Sequence, residues 1–256
     1  MVTGHEWLVF GAGFLAAVMN SIAGGGTMLT FPALLAAGLP GVLANTTSTV
    51  ALFLGMPGSV WAFRRQLPAV RKWLVPLGVT SLVGGLAGGV LLLALPSDVF
   101  DRVVPWLLLL ATALFLANAP LQRWMRRHAT VDHEPDRPKP WGVAFQALVA
   151  VYGGYFGAGI GIMMLAGLGL LGLRDIHRMN ALKAVLALLV NVASVVYFIA
   201  QGGVHWPLAL WLMAGSIPGY FIGAHLAQRI PAAVVRGIVA VIGLGISASL
   251  FWKQLR

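Results

Sequence analysis

Two glycine clusters interrupt long apolar runs of this chain: SIAGGGT, with Gly24, Gly25, Gly26 and Thr27, and YFGAGIG, with Gly159 and Gly161. At membrane depth, opened backbone survives only where protein or a watery cavity satisfies it. An opened helix start presents free N–H groups and the positive end of the helix dipole, which is the chemistry of an anion site. The competing explanation for such glycines is close packing of helices through small residues. We assign packing to Gly84, Gly85, Gly88 and Gly89, which follow a small-xxx-small spacing, and substrate contact to the two clusters.

A polar segment follows each cluster: NTTSTV from Asn45 and NALKAV from Asn180. Both read as helix starts, where Asn45, Thr46 and Asn180 either cap the helix or offer donors to a bound oxyanion. Lys183 is the one basic residue inside the uncharged block Met179 to Val204, and an intramembrane ionisable group is a functional candidate by default. Its other role would be snorkelling to the surface one turn away. Asn191 reads as an interhelical hydrogen bond, and Tyr155 and His225 as weaker site candidates.

Other chemistries lack their residues. The seven acids are Glu6, Asp98, Asp101, Asp132, Glu134, Asp136 and Asp175, all in loops or at segment ends. No buried carboxylate is available to carry a proton, no His/carboxylate cluster suggests a metal, and no His, Asp and Ser set within the spans suggests hydrolysis. With zero Cys there is no disulfide framework, thiolate metal site or cysteine nucleophile. The expectation is no catalytic residue, no metal and no cofactor.

The elements that must position these residues are membrane helices. Of 256 residues, 59% are hydrophobic and 9% charged, against about 25% charged in an ordinary soluble domain. Trp7 to Phe63 contains no Asp, Glu, Lys, Arg or His, and about 20 helical residues cross a bilayer core. The runs are continuously apolar, which excludes the alternating pattern of a β-barrel. Ser21-Ile22-Ala23 resembles a signal cleavage site, but no Lys or Arg precedes it, so the segment reads as retained helix. The net charge of +10 sits in short loops, so it reports topology; nucleic acid is not an expected partner.

Sliding the sequence on itself by 135 residues superposes Gly24 on Gly159, Gly26 on Gly161, Asn45 on Asn180, Ser59 on Ser194, Gly84 on Gly219 and Pro96 on Pro231. The chain therefore divides into a first repeat, 1–122, a cytoplasmic linker, 123–140, and a second repeat, 141–256. The loop Arg64 to Lys72 carries four basic residues, and its counterpart Ile199 to Pro207 carries no Lys or Arg, so the repeats face opposite ways. Inversion needs an odd number of crossings per half. The blocks Trp7 to Leu39 and Trp141 to Leu173 must then enter and return, as re-entrant or discontinuous hairpins broken at their glycines. The expected fold is an all-α polytopic membrane protein of two inverted repeats, each a broken hairpin followed by three transmembrane helices.

NSIAGGGTMLTFPALLAAGLP with ANTTSTVALFLGMPGSVWAFRR, and GAGIGIMMLAGLGLLGL with HRMNALKAVLALLVN, resemble the TauE/SafE family of sulfite exporter and sulfonate permease-like proteins. The resemblance covers nearly the whole chain outside the linker. It implies transport of sulfite, sulfoacetate or another organosulfonate across the bacterial inner membrane, and the missing proton relay favours export. A passive anion channel is the rival within transport, and an intramembrane enzyme the rival outside it. The expected partners are a small anionic substrate and the lipid bilayer, with a homodimer left open.

Overall fold

The computed structural model describes residues 4–22, 25–127, 135–226 and 232–254, and among them there is helix but no strand. In chain order the helices are α1 (Gly4–Ile22), α2 (Thr27–Ala36), α3 (Gly41–Phe53), α4 (Met56–Ala62), α5 (Arg71–Ala94), α6 (Ser97–Arg127), α7 (Pro140–Tyr155), α8 (Ile160–Leu170), α9 (Ile176–Ala200), α10 (Trp206–Leu226) and α11 (Ala232–Gln254), with a 3-10 segment at Arg64–Val70. Helices α3, α5 and α6 start 135 residues before α9, α10 and α11 respectively. Gly24 and the side chain of His225 lie outside the described residues.

Arg64–Ala94, Ser97–Ala117 and Ile176–Ala200 are long and apolar enough to cross a membrane. On α5, Val75, Val79, Val83 and Leu86 are exposed while Gly78, Ser81, Gly85, Gly88 and Leu92 are buried. An apolar outer stripe over a glycine-lined inner one is what lipid on one side and helices on the other demand. By contrast α2 and α8, of 10 and 11 residues, rise only about 15–17 Å, roughly half of a bilayer core.

The inner glycines set the closest approaches. A Cβ at Gly84 or Gly88 would collide with α7 around Ala150 and Val151, and one at Gly215 or Gly219 with α1 around Phe10 and Phe14. Packing is thus the role of Gly84 and Gly88. In both pairs residue numbers rise together, so α5 runs parallel to α7 and α1 parallel to α10. The two pairs start at different ends of the molecule. At the end where α5 and α7 start, Lys72 pairs with Asp136 at 3.0 Å, and Pro68, Pro135, Leu173 and Arg178 border one concavity. At the end where α1 and α10 start, the His205 N–H donates to Thr47 Oγ1 at 3.0 Å, and Gly41 abuts Phe100 and Asp101.

Two features depart from the sequence reading. The first long helix expected after the first hairpin is in two pieces, α3 and α4, parted at Leu54 and Gly55. Pro57 cannot donate back to the preceding turn, and the ring of Tyr220 lies where a Gly55 side chain would be. The equivalent contact in the other half is reversed in size: Val190 stands in the place of Gly55, and Gly85 in the place of Tyr220. Helix α6 also runs on to Arg127, so the first residues of the stretch read as linker are helical.

Candidate functional site

Each glycine cluster lies between two helix ends: α1 stops at Ile22 and α2 starts at Thr27, while α7 stops at Tyr155 and α8 starts at Ile160. Gly25 and Gly159 have φ of +91° and +82°, a left-handed backbone that costs an L side chain about 1–2 kcal/mol. Both turns touch the same stretch of α6. A Cβ at Gly25 would lie 3.1 Å from the Phe115 ring, and one at Gly159 3.5 Å from Leu114.

The two helix starts differ in how their donors are used. At the first, the Gly26 N–H donates to Asn20 Oδ1 at 2.7 Å, and Asn20 Nδ2 donates to Tyr220 Oη at 3.3 Å. One turn into α2, Thr30 Oγ1 and Ser48 Oγ share a hydrogen bond at 2.5 Å. This end is closed by the protein's own oxygen.

At the second, the Gly161 N–H has no acceptor among the described residues. The stem of Lys183 lies over Gly161, its Cδ 3.4 Å from where a Cβ would sit. Lys183 Nζ donates to Asn180 Oδ1 at 2.9 Å, and among the described residues no carboxylate pairs with it. Asn180 Nδ2 in turn donates to the Ile176 carbonyl at 2.8 Å, which fixes the amide with its oxygen toward the lysine. The 135-residue equivalence puts Tyr155 in the place of the capping Asn20, and Lys183 in the place of Ser48, so the hydroxyl that bonds Thr30 in one half is matched by a cation in the other.

The end of α7 faces the same turn. Its Tyr152 carbonyl accepts from the N–H groups of Phe156 and Gly157, its Tyr155 carbonyl accepts from Asn45 Nδ2 at 2.9 Å, and the Tyr152 hydroxyl donates to the Ala158 carbonyl at 2.7 Å. Asn45 is 1% exposed, and its Oδ1 has no partner among the described residues.

Asn45 and Asn180 are not at helix starts, which corrects the reading of NTTSTV and NALKAV. Helix α3 begins at Gly41 after Pro40, whose extended ψ of 150° stops the helix from reaching further back. Helix α9 begins at Ile176, capped by Asp175 Oδ1, which accepts from the His177 N–H at 2.8 Å and the Arg178 N–H at 3.3 Å. The hydroxyl of Thr46 is turned back onto the Val42 and Leu43 carbonyls, both at 3.1 Å. Among the described residues Asn191 bonds within its own helix, to the Ala187 carbonyl at 2.8 Å, rather than across helices. Gly159, Gly161, Asn180 and Lys183 are brought together; Gly25, Gly26 and Thr27 belong to the other turn. Asn20, Tyr152 and Tyr220 were missed in the sequence. A polar Asn20 set in an apolar run just before a glycine cluster was the available signal.

A family profile described as "Sulfite exporter TauE/SafE" matches residues 9–250. The chain belongs to the TauE/SafE family. Within reach of this TauE/SafE chain are the "Probable membrane transporter protein" of Haemophilus influenzae, 28% identical over 255 residues, covering 96% of this chain and 94% of that one. The "Probable membrane transporter protein ORF9" of a Sinorhizobium species is 26% identical over 242 residues, 94% and 90% of the two chains. The "Probable membrane transporter protein YfcA" of Escherichia coli K12 is 25% identical over 254 residues, 96% and 90%. No solved structure matches. TauE/SafE is a family of membrane transporters, and this member is an integral membrane protein.

Proposed function

We propose that this chain is a secondary transporter that exports a small sulfur-containing anion, such as sulfite, sulfoacetate or another organosulfonate, across the bacterial inner membrane. The observation that carries the anion is Lys183: a cation with no carboxylate beside it among the described residues, its stem laid over Gly161, whose N–H has no acceptor among those residues. The sulfur chemistry rests on the family description alone. Gly159, Gly161, Asn180 and Lys183 hold the anion, Gly25, Gly26 and Thr27 form the facing turn, and Asn45 and Thr46 brace the site from α3; Gly24, the other candidate of that cluster, lies outside the described residues.

Two inverted repeats with re-entrant hairpins are part of this proposal. They are supported by the equal spacing of helix starts, the opposite starting ends of the α1/α10 and α5/α7 pairs, and the shortness of α2 and α8. Alternating exposure of a site between two such halves is the usual working of this architecture.

The test is counterflow of labelled sulfite in proteoliposomes preloaded with unlabelled sulfite. Transient accumulation is expected of a carrier and not of a channel. Lys183→Met should lower the initial rate by about tenfold or more, as for loss of a charged hydrogen bond, while Lys183→Arg retains part of it. A Lys183→Met protein that accumulates label like the parent would place the anion elsewhere.

A further inference from the structure

The break between α3 and α4 has no counterpart in the second half. The segment equivalent to α4, residues 191–197, lies inside the continuous α9, where Asn191, Ser194 and Val195 are buried, whereas no residue of α4 is buried. The fastening differs as well. Ser194 Oγ donates to the Gly85 carbonyl at 2.9 Å, and the backbones of α5 and α9 close on each other at Gly85 and Val190. The equivalent serine of α4, Ser59, is exposed and makes no side-chain hydrogen bond among the described residues. Where the backbones of α10 and the α3/α4 pair would meet stands the ring of Tyr220, against Gly55. A short helix beyond a break, with no buried side chain, belongs to the low-stability elements that move in a fold.

The far end of that ring reaches the first glycine turn. Tyr220 Oη accepts from Asn20 Nδ2 at 3.3 Å, and Asn20 Oδ1 accepts from the Gly26 N–H at 2.7 Å. One side chain therefore touches the break on one side and, through one amide, the helix start of α2 on the other. The bond between Thr30 and Ser48 ties the body of α2 to α3 ahead of the break, so only the start of α2 is linked to the break through Tyr220. We propose that Tyr220 is a positioning residue that couples the tilt of α4 to the cap of α2. Helix α4 hinges at Leu54 and Gly55, the Tyr220 ring follows it, and Asn20 holds or releases the Gly26 N–H accordingly. The coupling lies around the first turn and depends on no property of Lys183 or of the anion.

Amide hydrogen exchange at Gly26, in the purified full chain in detergent, tests it, with Gly159 as the internal reference. Gly55→Ala suits its backbone, at φ −81° and ψ −17°, but its methyl collides with the Tyr220 ring. Tyr220→Phe keeps the ring and deletes the hydroxyl. Each variant should speed exchange at Gly26 by about threefold to tenfold, as for loss of one hydrogen bond, and leave Gly159 as in the parent. The double variant should go no further than Tyr220→Phe alone, because both changes cut one link. Exchange at Gly26 unchanged in Tyr220→Phe would overturn the proposal, whether or not Gly55→Ala folds. So would no effect of Gly55→Ala, an effect that adds in full to that of Tyr220→Phe, or an equal rise at both glycines.

Discussion

The side-chain amide of Asn45 donates to the carbonyl oxygen of Tyr155 at 2.9 Å, so the second turn of α3 closes the end of α7 across the two halves of the chain. The bond joins residues 110 apart in sequence and lies beside the turn that holds Gly159. It makes the geometry of the turn between α7 and α8 depend on a residue of α3.

Asn45→Leu should destabilise the protein by about 1–3 kcal/mol, the cost of leaving the Tyr155 carbonyl without its donor. Asn45→Asp should be worse, since it replaces the donor by a buried carboxylate facing a carbonyl. Thermal unfolding of the two variants in the same detergent orders them. An aspartate variant as stable as the leucine variant would mean that the bond is not what holds the turn.

Gly161 and Gly159 separate crowding from backbone strain. Gly161→Ala adds a methyl 3.4 Å from the Lys183 stem on ordinary helical backbone, so stability should hold while anion affinity falls. Gly159→Ala should cost about 1–2 kcal/mol through its φ of +82°, with ordinary contacts to Leu114. Measured side by side, unfolding should report Gly159 and anion binding should report Gly161. Equal loss of stability in both would make Gly161 a structural residue only.

The inverted arrangement predicts that reporters fused in the Arg64 to Lys72 loop and in the Gly202 to Trp206 loop read out on opposite sides of the membrane. The first loop carries four basic residues and shares its end of the molecule with Asp136 and Arg178. With the first loop cytoplasmic both termini should lie outside, and Lys253 and Arg256 near the C-terminus pull weakly against this. Reporters on one side would end the inverted reading.

Export needs no coupling ion. One elementary charge moved through the membrane potential is worth about 2.3 kcal/mol per 100 mV, so an inside-negative cell expels anions. Net flux of sulfite from proteoliposomes should follow an imposed potential without sodium and without a pH gradient. Flux that requires either gradient would turn the search to a coupling site.

The apolar blocks and the glycine clusters were legible because helix class and helix interruption are local properties of sequence. Helix starts were less so: Asn and Thr in NTTSTV look like caps, yet Pro40 and Asp175 end the preceding segments five residues before Asn45 and Asn180. The commitments of the hydroxyls were not legible at all. Ser48 meets Thr30 and Thr47 meets the His205 N–H through tertiary packing that no spacing encodes. The asymmetry between the two turns was hidden for a related reason: the repeat equates Asn20 with Tyr155, so neither stood out as a match.

The reciprocal contacts of Gly55 with Tyr220 and of Val190 with Gly85 bear on how such a chain could have arisen and what it has since given up. If the halves descend from one duplicated gene, the ancestral product had to pair with itself. Two present-day first halves would set Gly55 against Gly85 and leave a void; two second halves would drive Val190 into Tyr220. On that descent neither half would any longer fit a copy of itself, and each would fit only the other.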